Sequence, residues 1–141
     1  MSLSNHPPQT QDMFASEAVT HGVRVVARSM FDPGRSRPES GQWFFLYTIT
    51  ITNEGTDTVQ LLSRYWLIKD ESGGVEEVRG PGVVGEQPVL APGASFEYTS
   101  GCPLTTATGT MEGSYFMQGP GGDRLEVKVA PFLLSEPFQV N

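Results

Sequence analysis

Apolar and polar residues alternate with a period of two along most of the chain. The clearest case is residues 42–52, where Trp43, Phe45, Tyr47, Ile49 and Ile51 share one parity, whereas Phe44, Leu46, Thr48 and Thr50 take the other. Because successive side chains of a β-strand point to opposite faces, this alternation predicts a strand. The apolar content of the segment favours a central place in its sheet.

The rest of the chain repeats this pattern in shorter pieces separated by turn residues. A polar segment at 35–41 predicts a hairpin loop, and Asn53, Glu54 and Gly55 predict a second hairpin between residues 42–52 and 59–69. Pro131 precedes a short apolar segment, 132–134, suited to a sheet edge. The other predicted strands are 19–28, 75–79, 95–100, 109–118 and 125–129, of which the last two form a hairpin.

Seven or eight short strands without interleaved helices predict an all-β chain, namely an immunoglobulin-like or fibronectin type III-like β-sandwich. A small barrel is the alternative. The single cysteine excludes the disulfide-bearing immunoglobulin subclass. We expect a flexible N-terminal tail at residues 1–18, a single domain at 19–137 and a C-terminal tail at 138–141.

Composition excludes several functional classes. The chain has 141 residues, the size of one domain, and its 16 glycines and 11 prolines are incompatible with an all-α bundle. A net charge of -7 opposes binding to nucleic acid. No run of 18 apolar residues predicts a membrane span, and the lone Cys102 with no apolar leader favours the cytoplasm.

A glycine-rich segment at residues 80–85 has the spacing GxGxxG. A dinucleotide-binding fold would need a helix at this point, and Pro88 and Pro92 argue against one. A helix-free loop can still bind pyrophosphate or a nucleotide through converging N–H groups, whereas the alternative is a purely structural loop between strands. The hypothetical anion-binding residues are Gly80, Gly82, Val83, Val84, Gly85, Arg64 and Arg79.

Metal-binding and catalytic patterns are weak. His6 and His21 lack ligand spacing and Cys102 has no cysteine partner, so we predict no metal site, no cofactor and no enzymatic activity. The acidic residues Asp70, Glu71, Glu76 and Glu77 fit a solvated edge better than a cation site, although carboxylates would favour a hard ion. Arg64 lies among apolar residues, which predicts an ion pair with Glu97 or Glu77.

Several segments together resemble the ApaG family of small bacterial proteins. They are residues 47–53, 59–66 and 75–80, then GPGVVGEQPVLAPG at 80–93, FEYTSGCPL at 96–104 and GTMEGSY at 109–115. The resemblance covers residues 19–137 and implies a fibronectin type III-like sandwich. It also implies a link to cobalt resistance and magnesium efflux, a gene neighbour encoding a diadenosine tetraphosphate hydrolase, and related domains in eukaryotic F-box and polymerase-interacting proteins. Tyr65 replaces the histidine usual in the family, and the loop at 32–41 looks longer than usual.

These observations favour a non-enzymatic module that binds an unknown protein partner through exposed strand edges and glycine loops. The same edges make a homodimer plausible. Two alternatives stay open: pyrophosphate or nucleotide binding by residues 80–85, and a regulatory role linked to divalent cobalt or magnesium.

Overall fold

Two antiparallel sheets pack face to face in the computed structural model of the chain, which describes residues 14–137. The first sheet has the order β1-β2-β3-β7, and the second has the order β5-β4-β8-β9, with β6 paired to β4. The strands are β1 (Ala15–Thr20), β2 (Val23–Phe31), β3 (Trp43–Asn53), β4 (Val59–Asp70), β5 (Val75–Pro81), β6 (Val89–Leu90), β7 (Ser95–Leu104), β8 (Thr108–Gln118) and β9 (Arg124–Ser135).

This architecture confirms the predicted β-sandwich, with nine strands in place of seven or eight. Between residues 14 and 137, no helix is both long and apolar enough to cross a membrane. The predicted hairpins β2–β3 and β8–β9 are both present, and β4 and β5 form a further hairpin. β9 continues through Pro131 and is an edge strand of the second sheet, which agrees with the prediction for residues 132–134.

β3 is the central strand that its alternation predicted, because it pairs with β2 on one side and β7 on the other. Phe45, Tyr47, Ile49 and Ile51 are buried between the sheets. The hydroxyl residues between them lie on the outer face, where Thr48 bonds Thr99. The alternation of β3 therefore separates the core from the surface of the first sheet.

The predicted hairpin between β3 and β4 is wrong, because the two strands belong to different sheets. Asn53, which is 1% exposed, ends β3 and holds the crossing in place. Its side-chain amide donates to the carbonyl oxygens of Asp57 and Leu90, and its Oδ1 accepts from the N–H of Gly55. The amide thus replaces the backbone pairing that a hairpin would supply.

The first predicted strand, 19–28, is in fact two strands. β1 begins at Ala15, inside the segment assigned to the tail, and a tight turn at His21 and Gly22 joins β1 to β2. Both turn residues have positive φ, 51° and 76°. His21 therefore lies in a turn and not at a strand start. Residues 1–13, with His6, and residues 138–141 lie outside the described part of the chain.

The two long sides of the sandwich differ. On one side β9 lies against β1 and β2: the Ser16 hydroxyl donates to the carbonyl of Ala130 at 2.7 Å, and the Ser29 hydroxyl donates to that of Leu133 at 2.6 Å. On the other side, β5 and β7 are the terminal strands of their sheets, and no strand within residues 14–137 pairs with their outer edges. We call this second side the open side.

Candidate functional site

A cleft of about 530 Å³ lies on the open side, between β7 of the first sheet and β4 and β5 of the second. Buried aromatic side chains of Tyr47, Trp66 and Tyr98 line it together with Met111. Its volume falls within the usual range for small-ligand sites, and its walls combine apolar side chains with polar groups such as Arg64, Glu76 and Ser100. The cleft is therefore the candidate functional site of the described chain.

Strand alternation places the side chains of the cleft. On β4, Arg64 and Trp66 share the inner face, and on β7, Tyr98, Ser100 and Cys102 share the face directed at the second sheet. The loop that follows β5 completes the rim. Two sheets thus contribute to one cavity, and none of these side chains is brought there by a helix.

Arg64 has no carboxylate partner. The predicted pairing with Glu97 or Glu77 is wrong, because its Nη1 donates to the carbonyl oxygens of Pro81 and Gly82, both at 2.9 Å. Its guanidinium group lies against the Cα of Gly80: a Cβ there would come within 2.9 Å of Nη2. No Asp or Glu of the described residues lies within 4.0 Å of this charge.

Trp66 carries an unsatisfied donor in the wall of the cleft. It is 2% exposed, and its Nε1 is the one buried side-chain nitrogen or oxygen within residues 14–137 that has no hydrogen-bond partner. The rings of Tyr47, Tyr115 and Phe132 meet its indole edge-on, at centroid distances of 5.4, 6.1 and 6.1 Å. A buried N–H without an acceptor is costly, so it needs an explanation.

The thiol and phenol groups of the wall stay neutral. Burial, and to a smaller extent the charge of Glu76, raises the pKa of the Cys102 thiol to about 12. Burial likewise raises the pKa values of Tyr47 and Tyr98. The thiol is therefore protonated at neutral pH and is not an activated nucleophile.

The glycine loop uses most of its N–H groups within the protein. Gly82 donates to the Leu62 carbonyl at 2.8 Å, while Val83 and Glu86 exchange N–H···O bonds of 2.8 and 2.9 Å. Val84 has a φ of 43° and Gly85 a φ of 81°, and positive φ at both central positions is typical of a two-residue type I′ turn. The residues of this turn do not form the helix start or converging cradle of a typical phosphate loop.

The structure brings together some of the predicted anion-binding residues and separates others. Arg64, Val83, Val84 and Gly85 all line the cleft, and Gly80 and Gly82 adjoin it. Arg79 lies elsewhere: its guanidinium stacks on the Tyr65 ring at 4.4 Å, and the Tyr65 hydroxyl donates to Glu77 at 2.5 Å. Tyr65, the departure from the family pattern, therefore belongs to this surface pair and not to the cleft.

The acidic residues at 70–77 do not converge. Asp70 accepts bonds from the Ser72 hydroxyl and from the N–H groups of Gly74 and Ser72, and these bonds shape the β4–β5 turn and lower the pKa of Asp70. Glu76 faces the cleft, whereas Glu77 bonds Tyr65. Within residues 14–137, no three His, Cys, Asp or Glu side chains form a group suited to a metal ion.

A second groove, of about 600 Å³, lies on the outer face of the first sheet and includes Met30, which is 65% exposed. Among its polar groups, Thr48 bonds Thr99 at 2.8 Å and Thr50 donates to Glu97 at 3.0 Å. The cleft on the open side differs from this groove because both sheets contribute to its walls.

Comparison with known proteins decides the family. The model of the ApaG domain (DUF525) matches residues 33–119, which span β3 to β8 and include every cleft residue named above. The chain belongs to the ApaG family. The ApaG protein of Brucella anthropi is 55% identical over 122 residues, which are 86% of this chain and 94% of the relative. That of a Bradyrhizobium strain is 52% identical over 120 residues, 85% of this chain and 92% of the relative.

A solved structure supports the fold of this ApaG chain. The crystal structure of the ApaA protein from Bordetella pertussis superposes with a TM-score of 0.81 at 47% identity, covering 86% of this chain and 98% of the other. The resemblance stated from the sequence is thus confirmed. What the sequence did not reveal is the cleft itself. The shared parity of Arg64 and Trp66 on β4 is the signal that could have indicated it.

Proposed function

We propose that this ApaG protein is a non-enzymatic binding module that pairs an extended segment of a partner protein with the free edge of β7. The observation that carries the proposal is the open side, where the outer edges of β5 and β7 both lack a neighbouring strand among the described residues. A free sheet edge presents unpaired N–H and C=O groups that an added strand can satisfy.

β7 is better suited than β5 to receive a strand. The exposed edge of β5 carries Glu76, Glu77 and Arg79, and charged side chains are the usual protection of an edge against pairing. The middle of β7, residues 98–102, carries no charged side chain. A strand added to β7 would extend the first sheet across the mouth of the cleft.

The absence of enzymatic activity is part of the proposal. It is supported by the neutral, buried Cys102 and by the position of His21 in a turn remote from the cleft residues. We further propose that the protein acts in the cytoplasm, where a single free cysteine is ordinary.

Selection from a displayed library of random twelve-residue segments tests this function, followed by NMR mapping of the selected peptides on labelled protein. We expect the amide shifts to fall on residues 98–102. Thr99→Lys should weaken binding about tenfold, whereas Thr48→Lys, which breaks the same hydroxyl pair from the central strand, should not. Peptides that shift β1 or the outer face of the sheet would refute the choice of edge.

Self-association uses the same edge and is measured separately. If two copies pair through β7, light scattering should show a dimer that Thr99→Lys dissociates and Thr48→Lys preserves. Binding of pyrophosphate or a nucleotide by residues 80–85 and a link to cobalt or magnesium remain predictions. The first is checked by titrating the amides of Val84 and Gly85 with pyrophosphate, and the second by the thermal midpoint with millimolar Mg²⁺ or Co²⁺.

A further inference from the structure

Two residues that line the cleft carry donors whose partners among the described residues are neutral or absent. Arg64 has a full positive charge whose described partners are neutral carbonyl oxygens, and Trp66 Nε1 has no partner. A guanidinium group binds a carboxylate more strongly than it binds a carbonyl oxygen, because the two charges attract and two parallel N–H···O bonds can form. Both residues line the same cavity.

The charge balance of the cleft limits what can bind. Arg64 and Glu76 are the only lining residues that are charged at neutral pH, so the lining has a formal net charge of zero. Glu76 is exposed at the rim. A ligand with several negative charges, such as pyrophosphate, would meet one cation and one carboxylate there. A single carboxylate can reach Arg64 with far less repulsion.

We propose that the cleft binds the carboxylate of a singly charged ligand whose remaining part is apolar. Arg64 holds the carboxylate, and the walls formed by Tyr47, Trp66, Tyr98 and Met111 enclose the apolar part. The inference deepens the proposed function, because a partner segment that lies along β7 can end in this cleft. It rests on the proposed function only where the carboxylate is taken to come from such a segment.

The shared chemistry allows two sources. One is a free aryl or alkyl carboxylic acid, and the other is the C-terminal carboxylate of a partner segment that ends in an apolar residue. A volume of about 530 Å³ accommodates either an acid of this kind or one terminal side chain with its carboxylate. The two sources differ in what strand pairing adds: only the peptide also gains bonds along β7.

The two tryptophans of the chain make the test specific. In ¹⁵N-labelled protein, the indole N–H of Trp66 should shift saturably when 3-phenylpropionate is added. The indole N–H of Trp43 is the internal control, because it already donates to Glu136 at 3.1 Å and its residue does not line the cleft. The neutral analogue 3-phenylpropanamide should bind about tenfold more weakly, since it lacks the charge that Arg64 recognises.

Variants separate the role of Arg64 from the stability of the fold. Arg64→Gln should abolish the preference for the acid over the amide. Gly80→Ala keeps the arginine but places a methyl group within about 3 Å of its guanidinium, so it should weaken acid binding as well. Gly73→Ala, in the β4–β5 turn with no atom within 4 Å of an added Cβ, should leave binding unchanged.

Peptides distinguish the sources. The acid and amide forms of acetyl-Gly-Gly-Phe are compared with phenylpropionate. A peptide acid that binds more tightly than phenylpropionate, with the gain lost in the peptide amide, supports a partner C-terminus. Equal affinities of the peptide acid and phenylpropionate support a free acid. Phenylpropionate that leaves Trp66 unshifted at about 10 mM, shifts both indoles alike or binds no better than its amide overturns the inference. Failure of strand pairing at β7 with retained acid binding refutes the proposed function alone.

Discussion

Replacing Asn53 by alanine tests the physical account of the crossing between the sheets. The substitution removes three hydrogen bonds: to the carbonyls of Asp57 at 2.8 Å and Leu90 at 2.9 Å, and from the N–H of Gly55 at 2.9 Å. The bond to Leu90 is buried, so the Leu90 carbonyl oxygen is left without a donor, at a cost of about 1–3 kcal/mol. The other two are partly buried and are worth about 0.5–1.5 kcal/mol each.

The expected loss is therefore about 3 kcal/mol in the free energy of unfolding, or about 10 °C in the midpoint for a chain of this length. Urea denaturation followed by circular dichroism measures it, with the m-value as a check that the unfolded state is unchanged. Thr52→Ala is the matched control, since it removes one exposed hydroxyl bond from the adjacent position and should cost less than about 1 kcal/mol.

A loss below about 0.5 kcal/mol in Asn53→Ala would show that the crossing is held by strand packing and not by this amide. Asn53→Asp gives a second measure. The carboxylate retains the acceptor for Gly55 but directs lone pairs at two carbonyl oxygens, so it should destabilise more than alanine at neutral pH and recover in part as the new carboxyl becomes protonated. An Asp variant as stable as wild type would contradict the assigned donor direction.

Three further predictions concern the loop after β5 and the buried thiol. Gly82→Ala should lower the free energy of unfolding by more than about 2 kcal/mol, because its Cβ would overlap the Glu86 carbonyl at a φ of 58°. Gly85→Ala, with open space around the added Cβ, should lower it by about 1 kcal/mol. Equal urea midpoints for the two variants would contradict this. Val84→Asn should stabilise the protein by about 1 kcal/mol in the same assay, because a β-branched residue at a φ of 43° is strained. A loss of stability would show that the exposed valine side chain contributes more by packing than its strained backbone costs. The native pKa of Cys102 lies above its ordinary value of 9.0, at about 12, so its contribution to stability is complete below pH 9 and declines as the pH rises toward 12. Between pH 8 and 10.5 the wild type should lose about 2 kcal/mol more than Cys102→Ala, and identical losses would refute the burial argument.

The elements that local alternation determines were predictable. β3 has one face that is apolar from Trp43 to Ile51 and carries threonines on the other face from Thr48 onward, so its central position followed from the sequence. His21 and Gly22 were missed because alternation continues on both sides of the turn and conceals the reversal. The β3–β4 crossing was missed because Asn53 followed by Gly55 is also a common turn sequence.

The cleft depends on distances that no local pattern contains. The sequence marked Arg64 as an unusual residue because its neighbours are apolar. Its carbonyl partner Pro81 could not be predicted, because it lies at the end of β5 and only the register between β4 and β5 brings it beside Arg64. Trp66 is a core residue whose missing acceptor depends on the rings that three neighbouring strands place around it. Glycines 80 and 82 owe their identity to close contacts, and these too are tertiary.

The closed side of the sandwich has a consequence for synthesis. The bonds that join β9 to β1 and β2 connect residues 104 to 114 positions apart, so this side forms only when nearly the whole domain is available. While the ribosome adds residues at about 5–20 per second, the growing chain has to wait for its last strand with β1 and β2 uncovered. Closure of this side therefore waits until β9 has been synthesised, and during that interval the uncovered first sheet is open to aggregation.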